Sequence, residues 1–108
     1  KKEDGRIDWA KPARQIYNRM RGFTPWPGSY TTFRGQMCNL WGHPGASSAE
    51  VTRVTPGDIV ETPQKEVYVV CGERTLLQVK QLQIEGRKKL SAREFANGAR
   101  LSPSERFV

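Results

Sequence analysis

The chain has 108 residues, a formal net charge of +7, 36% hydrophobic residues and 27% charged residues. That length predicts one domain with a hydrophobic core that needs no disulfide or metal to stay folded. No apolar stretch approaches the roughly 18 residues that cross a bilayer, and no hydrophobic segment follows the basic N-terminus as in a secretory signal. We therefore expect a cytoplasmic protein without a membrane partner.

The cysteines and the histidine offer little for catalysis or metal binding. Cys38 and Cys71 lie in apolar, strand-like runs without the C-x-x-C spacing of a zinc or redox site, which favours buried free thiols over a disulfide. His43 is the only histidine in the sequence, and one imidazole without a second ligand does not make a usual metal site. We predict no catalytic, cofactor-binding or metal-binding residue in this chain.

The basic residues are concentrated at the two ends of the sequence. Residues 1–34 carry a net charge of +5, residues 35–73 carry −3, and residues 74–108 carry +5. A basic face would form if the two ends came together in the fold, and such a face attracts polyanions by counterion release and long-range steering. The alternative is a soluble basic surface with no particular partner.

In chain order, the first predicted elements are a polar linker and one helix. The apolar residues of the helix recur near helical spacing, and they are Trp9, Ile16, Met20 and Phe23. Asp8 is the predicted N-cap, Pro12 fits the first turn, and Gly22 is predicted to end the helix. The prolines of TPWPG then predict a stiff corner, so the linker, helix and corner occupy residues 1–28.

The other face of this helix is basic. It carries Lys11, Arg14, Arg19 and Arg21. These cations form either a solvated face or part of the basic surface.

Short strand-like runs alternate with turn signals over residues 29–108. The predicted strands are SYTTF, QMCNLW, VTRV, DIVET, VYVVC and TLLQVKQLQI, with turns at RG and GHPGASSAE. In the last strand the apolar face changes sides between Val79 and Leu82, which predicts a β-bulge or strong coiling. The pattern predicts a mainly β fold, namely a small OB-like Greek-key β-barrel with the N-terminal helix and one short late helix.

The segment EGRKKLSAREFANG, residues 85–98, places a cationic corner directly before the late helix. Ser91 and Glu94 predict a capping box, and Gly98 predicts the end of the helix. Three adjacent cations repel one another, so the fold gains nothing from grouping them. A negatively charged partner would explain the grouping, and a solvated turn is the alternative. The leading candidates to contact RNA phosphates are Arg87, Lys88 and Lys89, together with Arg21 and Arg34.

Aromatic residues suited to stacking on bases are also present. They are Trp26, Tyr30, Phe33, Trp41 and Tyr68, but most alternate with polar neighbours, which favours core packing. A barrel that binds mainly by charge would read phosphate geometry, as in recognition of a structured RNA helix.

Several motifs lie in an order and spacing that point to a known family. They are GRIDW, MRGFTPWPGSYT, TPGDIV, VYVVCG, TLLQVKQLQIEGRKKLSAREFANG and the closing RF. Over essentially its whole length the chain resembles the C-terminal domain of methionyl-tRNA formyltransferases. The resemblance implies a two-domain enzyme whose N-terminal domain carries the catalytic residues and uses 10-formyltetrahydrofolate, while the C-terminal OB-like barrel holds the acceptor arm of initiator methionyl-tRNA.

For this chain, the resemblance implies a monomeric tRNA-binding module without transferase activity of its own. Its partners would be the initiator tRNA and the catalytic domain of the same protein. The family's tRNA-binding turn falls on Arg87, Lys88 and Lys89, with Arg87 where a lysine is usual, which keeps the charge but changes the donor geometry. The alternative is the C-terminal domain of a related formyltransferase that acts on folate or a sugar nucleotide, with a structural or cleft-shaping role and no RNA.

Overall fold

A computed structural model describes residues 5–23, 29–45, 55–102 and 104–108. Its elements are α1 (Ala13–Phe23), β1 (Tyr30–Phe33), β2 (Gln36–Gly45), β3 (Ile59–Glu61), β4 (Val67–Val70), β5 (Leu76–Ile84), β6 (Leu90–Ser91) and α2 (Ala92–Ala99). Neither helix in these ranges combines the length and apolar character that crossing a bilayer requires. The predicted strand VTRV, the TPWPG corner and Trp26 lie outside the described residues, and the predicted domain division at residue 28 stays a prediction.

The strands form one curled antiparallel sheet. Their order is β1-β2-β5-β4-β3, and β6 pairs with β5. Strands β3, β4 and β5 are sequential neighbours, whereas β2 reaches β3 through a long connection yet lies beside β5, which is the Greek-key arrangement. The predicted mainly β, OB-like architecture with an N-terminal helix and one short late helix is confirmed.

The C-terminal segment bridges the two free edges of this sheet. On one side, Thr32 of β1 and Val108 exchange two backbone hydrogen bonds of 3.0 and 2.9 Å. On the other side, the amide of Ile59 in β3 donates to the carbonyl of Glu105 over 3.0 Å. Four residues at the end of the chain therefore join β1 to β3 and leave neither edge open along this stretch.

One hydrophobic core joins the sheet to both helices. Ile16 and Met20 of α1, Leu82 of β5 and Phe95 of α2 belong to the same buried cluster. The ring of Phe107, in the C-terminal segment, lies within that cluster and is 1% exposed. Its centroid is 5.9 Å from that of Trp9, 5.7 Å from that of Phe33 and 6.4 Å from that of Phe95.

Helix α1 begins at Ala13, so the prediction that Asp8 caps it is wrong. The Asp8 carboxylate instead accepts a hydrogen bond from the amide of Ala10 at 3.1 Å, which closes a separate turn two residues on. The first amide of the helix, that of Ala13, donates to the Thr75 hydroxyl at 2.9 Å. The cap thus comes from the β4–β5 turn, which is distant in sequence.

Helix α2 has the predicted start but a different end. The Glu94 amide donates to the Ser91 hydroxyl at 3.1 Å, and the Ser91 amide donates to the Glu94 carboxylate at 2.9 Å, which confirms the capping box. Gly98 lies inside the helix, and Arg100 takes the left-handed C-cap conformation with φ of 50°. The helix continues one residue past Gly98 to Ala99, which packs against the core. Helix α1 likewise includes Gly22, the predicted stop, and ends at Phe23.

The predicted β-bulge is confirmed. Trp41 of β2 pairs with Gln81, but the next residue, Gly42, pairs with Val79, so Lys80 has no partner across the ladder. Because of the extra residue, Lys80 and Gln81 are both at the surface. Leu82 then faces the core, so the inward and outward alternation resumes after the bulge.

Strand β2 is longer than predicted, because it includes the first residues of the expected GHPGASSAE turn. Pro44 is tolerated there because the amide of Leu40 points toward Ser29 and away from β5, and alternation places the nitrogen of Pro44 on that same side. The ladder between β2 and β5 therefore keeps its hydrogen bonds at this proline.

The aromatic contacts of Phe107 indicate how much the C-terminal segment contributes to the stability of the fold. Phe107→Ala removes a ring with three aromatic neighbours and should lower the free energy of unfolding by about 3–5 kcal/mol. The control is Val108→Ala, since Val108 is 64% exposed and its backbone bonds remain, and it should change stability by less than about 0.5 kcal/mol. Urea titration followed by circular dichroism measures both, and equal effects of the two variants would contradict the assigned role of Phe107.

An ion pair fastens the C-terminal segment to the β1–β2 turn and makes stability depend on pH. Arg34 Nη2 lies 2.6 Å from Glu105 Oε1, and this hydrogen bond is the main reason that the pKa of Glu105 falls below its ordinary value of 4.5. Because the pKa is lower in the folded state, the contribution is present above pH of about 4.5 and is lost as pH falls through the lowered pKa.

We expect Glu105→Gln to be less stable than the parent at neutral pH and to approach it in acid. Urea unfolding of both proteins from about pH 7 to pH 3 measures the difference. A difference that stays constant over that range would show that the ion pair contributes nothing to stability.

Candidate nucleic-acid interface

The predicted cationic corner is the turn between β5 and β6, and hydrogen bonds hold it at three places. The amide of Glu85 donates to the carbonyl of Met37 at 2.8 Å, which ties the start of the turn to β2. The amide of Arg87 donates to the carbonyl of Ile84 at 2.9 Å. The side-chain amide of Gln83 donates to the carbonyl of Arg87 at 2.8 Å. The backbone that presents the cations is therefore anchored to the sheet.

Three of the five predicted RNA-contacting residues meet at one cleft. Arg34 from the β1–β2 turn and Arg87 and Lys88 from the β5–β6 turn line a cavity of about 300 Å³. Its apolar lining comes from both the sheet and α2, and includes Phe33, Ile84, Leu90 and Ala99. A cation from the first basic third of the sequence thus lies beside two cations from the last third.

Arg34 is already paired within the protein. It occupies the two-residue turn with Gly35, and both have the positive φ that such a hairpin requires, 49° and 81°. Its guanidinium binds Glu105, which raises the pKa of Arg34, and stands 4.8 Å from the centroid of the Phe33 ring. Arg34 therefore supports the wall of the cleft, while its charge is partly compensated by the carboxylate.

Arg87 and Lys88 are exposed, and neither forms an ion pair with a carboxylate in the ranges that the structure describes. The charge of Lys88 acts on the carboxylate of Glu94. Its pKa is lowered first by its hydrogen bonds with Ser91, with a smaller contribution from the charge of Lys88. These two side chains have the accessibility that binding an external anion requires.

Lys89 points away from the cleft. Its Nζ lies 4.0 Å from the centroid of the Trp41 ring, which is half-buried on the outer surface of β2. The separation is within the range of a favourable cation–π interaction. Successive residues of an extended segment face opposite sides, so Lys88 and Lys89 serve different surfaces of the same turn.

Arg21 shares no described contact with the other four candidates. It lies in the last turn of α1 and its guanidinium stands 5.6 Å from the centroid of the Tyr17 ring, one helical turn away. The structure therefore brings together Arg34, Arg87 and Lys88, with Lys89 on the reverse of the same turn and Arg21 on a separate element.

A second basic cleft was missed by sequence reasoning. Arg6, Lys11 and Arg19 line a cavity of about 350 Å³ between the N-terminal segment and α1, together with Asp8. The basic face of the helix was a signal for Lys11 and Arg19. Arg6 lies there because its segment pairs with β1 at Tyr30, a contact that the sequence does not indicate.

The aromatic candidates divide between the core and the surface. Phe33 and Tyr68 are buried, at 3% and 4% exposed, so the preference for core packing is confirmed for both. Burial is also the main reason that the pKa of Tyr68 is raised. Tyr30 and Trp41 are half-buried on the outer surface of the sheet.

The thiols have no access to a substrate. Cys38 and Cys71 are buried free cysteines, as predicted, and burial raises the pKa of each to about 12. Neither thiol is ionised to a useful extent near neutral pH, so neither is a nucleophile. Among the described residues, no group of three or more potential ligands could hold a metal ion.

Comparison with known proteins assigns the family. A sequence family described as the formyl transferase C-terminal domain matches residues 1–100. The methionyl-tRNA formyltransferase of Solibacter usitatus is 46% identical over 107 residues, which cover 99% of this chain and 33% of that protein. The enzyme of that name from an Anaeromyxobacter strain is 47% identical over 100 residues, covering 92% and 32%.

The similarity extends to relatives of lower identity. The methionyl-tRNA formyltransferase of Bacillus velezensis is 38% identical over 105 residues, covering 97% of this chain and 32% of that protein. The chain spans about a third of the length of the curated relatives it matches. With the matching motifs on the anchored cationic turn and in the barrel core, the chain belongs to the formyl transferase C-terminal domain family.

Proposed function

We propose that this chain is the tRNA-binding C-terminal domain of a methionyl-tRNA formyltransferase, acting in translation initiation in the cytoplasm. The observation that carries the proposal is the anchored turn with Arg87, Lys88 and Lys89, in a chain whose relatives are named methionyl-tRNA formyltransferases. None of the relatives described above is named for folate or a sugar nucleotide, so the alternative without RNA has no comparable support.

The turn binds RNA through its charges and its fixed backbone. Arg87 can hold a phosphate through two parallel hydrogen bonds, while Lys88 and Lys89 act as point charges along the phosphate backbone. Because the backbone is already held by the sheet, docking costs rotamer entropy of the side chains but little backbone entropy. Such contacts fix the position of the RNA without reading its sequence.

The domain supplies position, and the chemistry belongs to the rest of the protein. Residues 1–28 connect the catalytic domain to the barrel of residues 29–108, and the protein is a monomer. The acceptor arm of initiator methionyl-tRNA binds the barrel, which raises the local concentration of the aminoacylated end at the catalytic domain. There 10-formyltetrahydrofolate supplies the formyl group, and this chain binds neither the folate nor a metal.

Salt dependence tests the proposal on the chain itself. Fluorescence anisotropy with labelled initiator tRNA should show affinity falling by about two to three decades between 50 and 200 mM salt if four to six phosphates are contacted. Replacing Arg87, Lys88 and Lys89 together by alanine should lower the slope of log K against log salt by about 0.9 for each phosphate that the variant no longer neutralises. Circular dichroism should show the variant folded, because all three side chains are exposed.

A control variant separates local contacts from net charge. Arg74→Ala removes one cation from the β4–β5 turn, at the other end of β5 and roughly 27 Å from the β5–β6 turn. It should change the salt slope by much less than Arg87→Ala does. A salt-independent affinity, or equal effects of Arg74→Ala and Arg87→Ala, would overturn the proposal and favour a domain that does not bind RNA through this turn.

A further inference from the structure

We infer that the outer surface of β1, β2 and β5 contacts the shallow groove of a double-stranded RNA stem and distinguishes RNA from DNA. This surface, called here the outer face, consists of Tyr30, Asn39, Trp41, Gln81 and Gln83. The inference rests on the proposed function and adds to it the part of the RNA that the domain recognises.

Backbone pairing aligns one row of side chains across the outer face. Arg6 pairs with Tyr30, Tyr30 pairs with Asn39, and Asn39 pairs with Gln83. Residues paired across neighbouring strands project to the same side of a sheet. The alternate positions point inward, since Thr31, Cys38 and Leu82 are each fully buried, at 0% exposed.

The row spans three strand spacings and carries cations at both margins. Three strand spacings separate Arg6 from Gln83, which is about 14 Å. Arg6 is exposed at one margin. At the other, the side-chain amide of Gln83 donates to the carbonyl of Arg87, which places the cationic turn directly beside the row.

A second row runs parallel to the first. Trp41 pairs with Gln81, and the Nζ of Lys89 lies over the Trp41 ring. The two rows contain amides, a hydroxyl and aromatic rings but no carboxylate. Beyond them, Glu85 brings an acidic group to the β5–β6 turn, where its amide bonds to Met37.

These groups suit a duplex better than a single strand. Single-strand binders stack bases on open aromatic faces, but Lys89 covers the ring of Trp41, and Tyr30 is half-buried. A-form RNA has a wide, shallow minor groove lined with 2′-hydroxyls, which both donate and accept hydrogen bonds. A sheet surface bearing neutral amides can lie across such a groove while cations at both margins meet the flanking phosphates. DNA lacks the 2′-hydroxyl and so gains only the phosphate contacts.

The test uses the chain and two labelled hairpins of the same sequence, one RNA and one DNA, with stems of about 16 base pairs, enough to present two successive minor grooves. The parent should prefer the RNA hairpin. The double variant Tyr30→Phe/Gln81→Ala removes two neutral hydrogen-bonding groups and should lower RNA affinity about 5- to 30-fold while leaving DNA affinity nearly unchanged. Its salt slope should equal that of the parent, because the variant keeps every cation.

Two single variants supply matched controls. Gln64→Ala removes the same side-chain amide from the exposed β3–β4 turn and should change neither affinity. Glu85→Gln removes a negative charge beside the phosphates and should raise affinity for both hairpins severalfold. A decrease in RNA affinity for the double variant, no change for Gln64→Ala and an increase for Glu85→Gln would together separate the outer face from a general effect of mutation.

The outcomes distinguish the inference from the proposed function. If RNA binds with a steep salt slope but the double variant keeps the parental preference for RNA over DNA, the inference is wrong and the proposed function stands. Tighter binding to a single-stranded RNA than to the hairpin would also overturn the inference. If no RNA binds at any salt concentration, the proposed function fails and the inference fails with it.

Discussion

The structure depends on a buried hydrogen-bonded chain that joins three distant segments. The indole Nε1 of Trp9 donates to the Thr31 hydroxyl at 3.0 Å, and that hydroxyl donates to the carbonyl of Val108 at 2.8 Å. The N-terminal segment, the first strand and the C-terminal segment are thereby tied together inside an otherwise apolar core. Losing any one partner would leave a buried polar group unsatisfied, which costs more than the hydrogen bond itself contributes.

The position of the C-terminal segment determines which of the nearby cations is paired within the protein. Fixing the C-terminal segment between β1 and β3 places Glu105 against Arg34, so this cation becomes part of the framework. In the neighbouring β5–β6 turn, Arg87 and Lys88 form no ion pair with a carboxylate among the described residues, and Lys89 contacts the Trp41 ring. Alternation along the turn then sends Lys88 to the cleft and Lys89 to the outer face. A single short turn therefore presents cations to two surfaces of the barrel.

Sequence reasoning succeeded where the signal was local. The change of apolar face between Val79 and Leu82 located the bulge, and the spacing of Ser91 and Glu94 located the start of α2. Both features depend on residues within a few positions of one another. The strand pattern and the motif resemblance also gave the correct fold class and family.

The errors came from contacts between residues that are distant in sequence. The start of α1 depends on Thr75, 62 positions after Ala13, and no local pattern indicates that hydroxyl. The closing segment is too short to read as a strand, because its pairing consists of isolated bridges. At the candidate site, the sequence predicted five RNA-contacting cations, of which three line one cleft, and their contact with RNA stays a prediction. The sequence could not show that Arg34 is paired, since the pairing with Glu105 exists only once the barrel has closed.

The unpaired residue in β5 has a consequence for how this domain tolerates change. Exchanging the exposed Lys80 for another polar residue leaves the strand ladder intact. Deleting it would instead remove the bulge, because Val79, Gln81, Leu82 and Gln83 would then alternate regularly and Leu82 would still face the core. The strand would lose the extra local twist that a bulge adds, and with it part of the curl of the sheet. The residue at this position therefore contributes curvature, whichever polar side chain it carries.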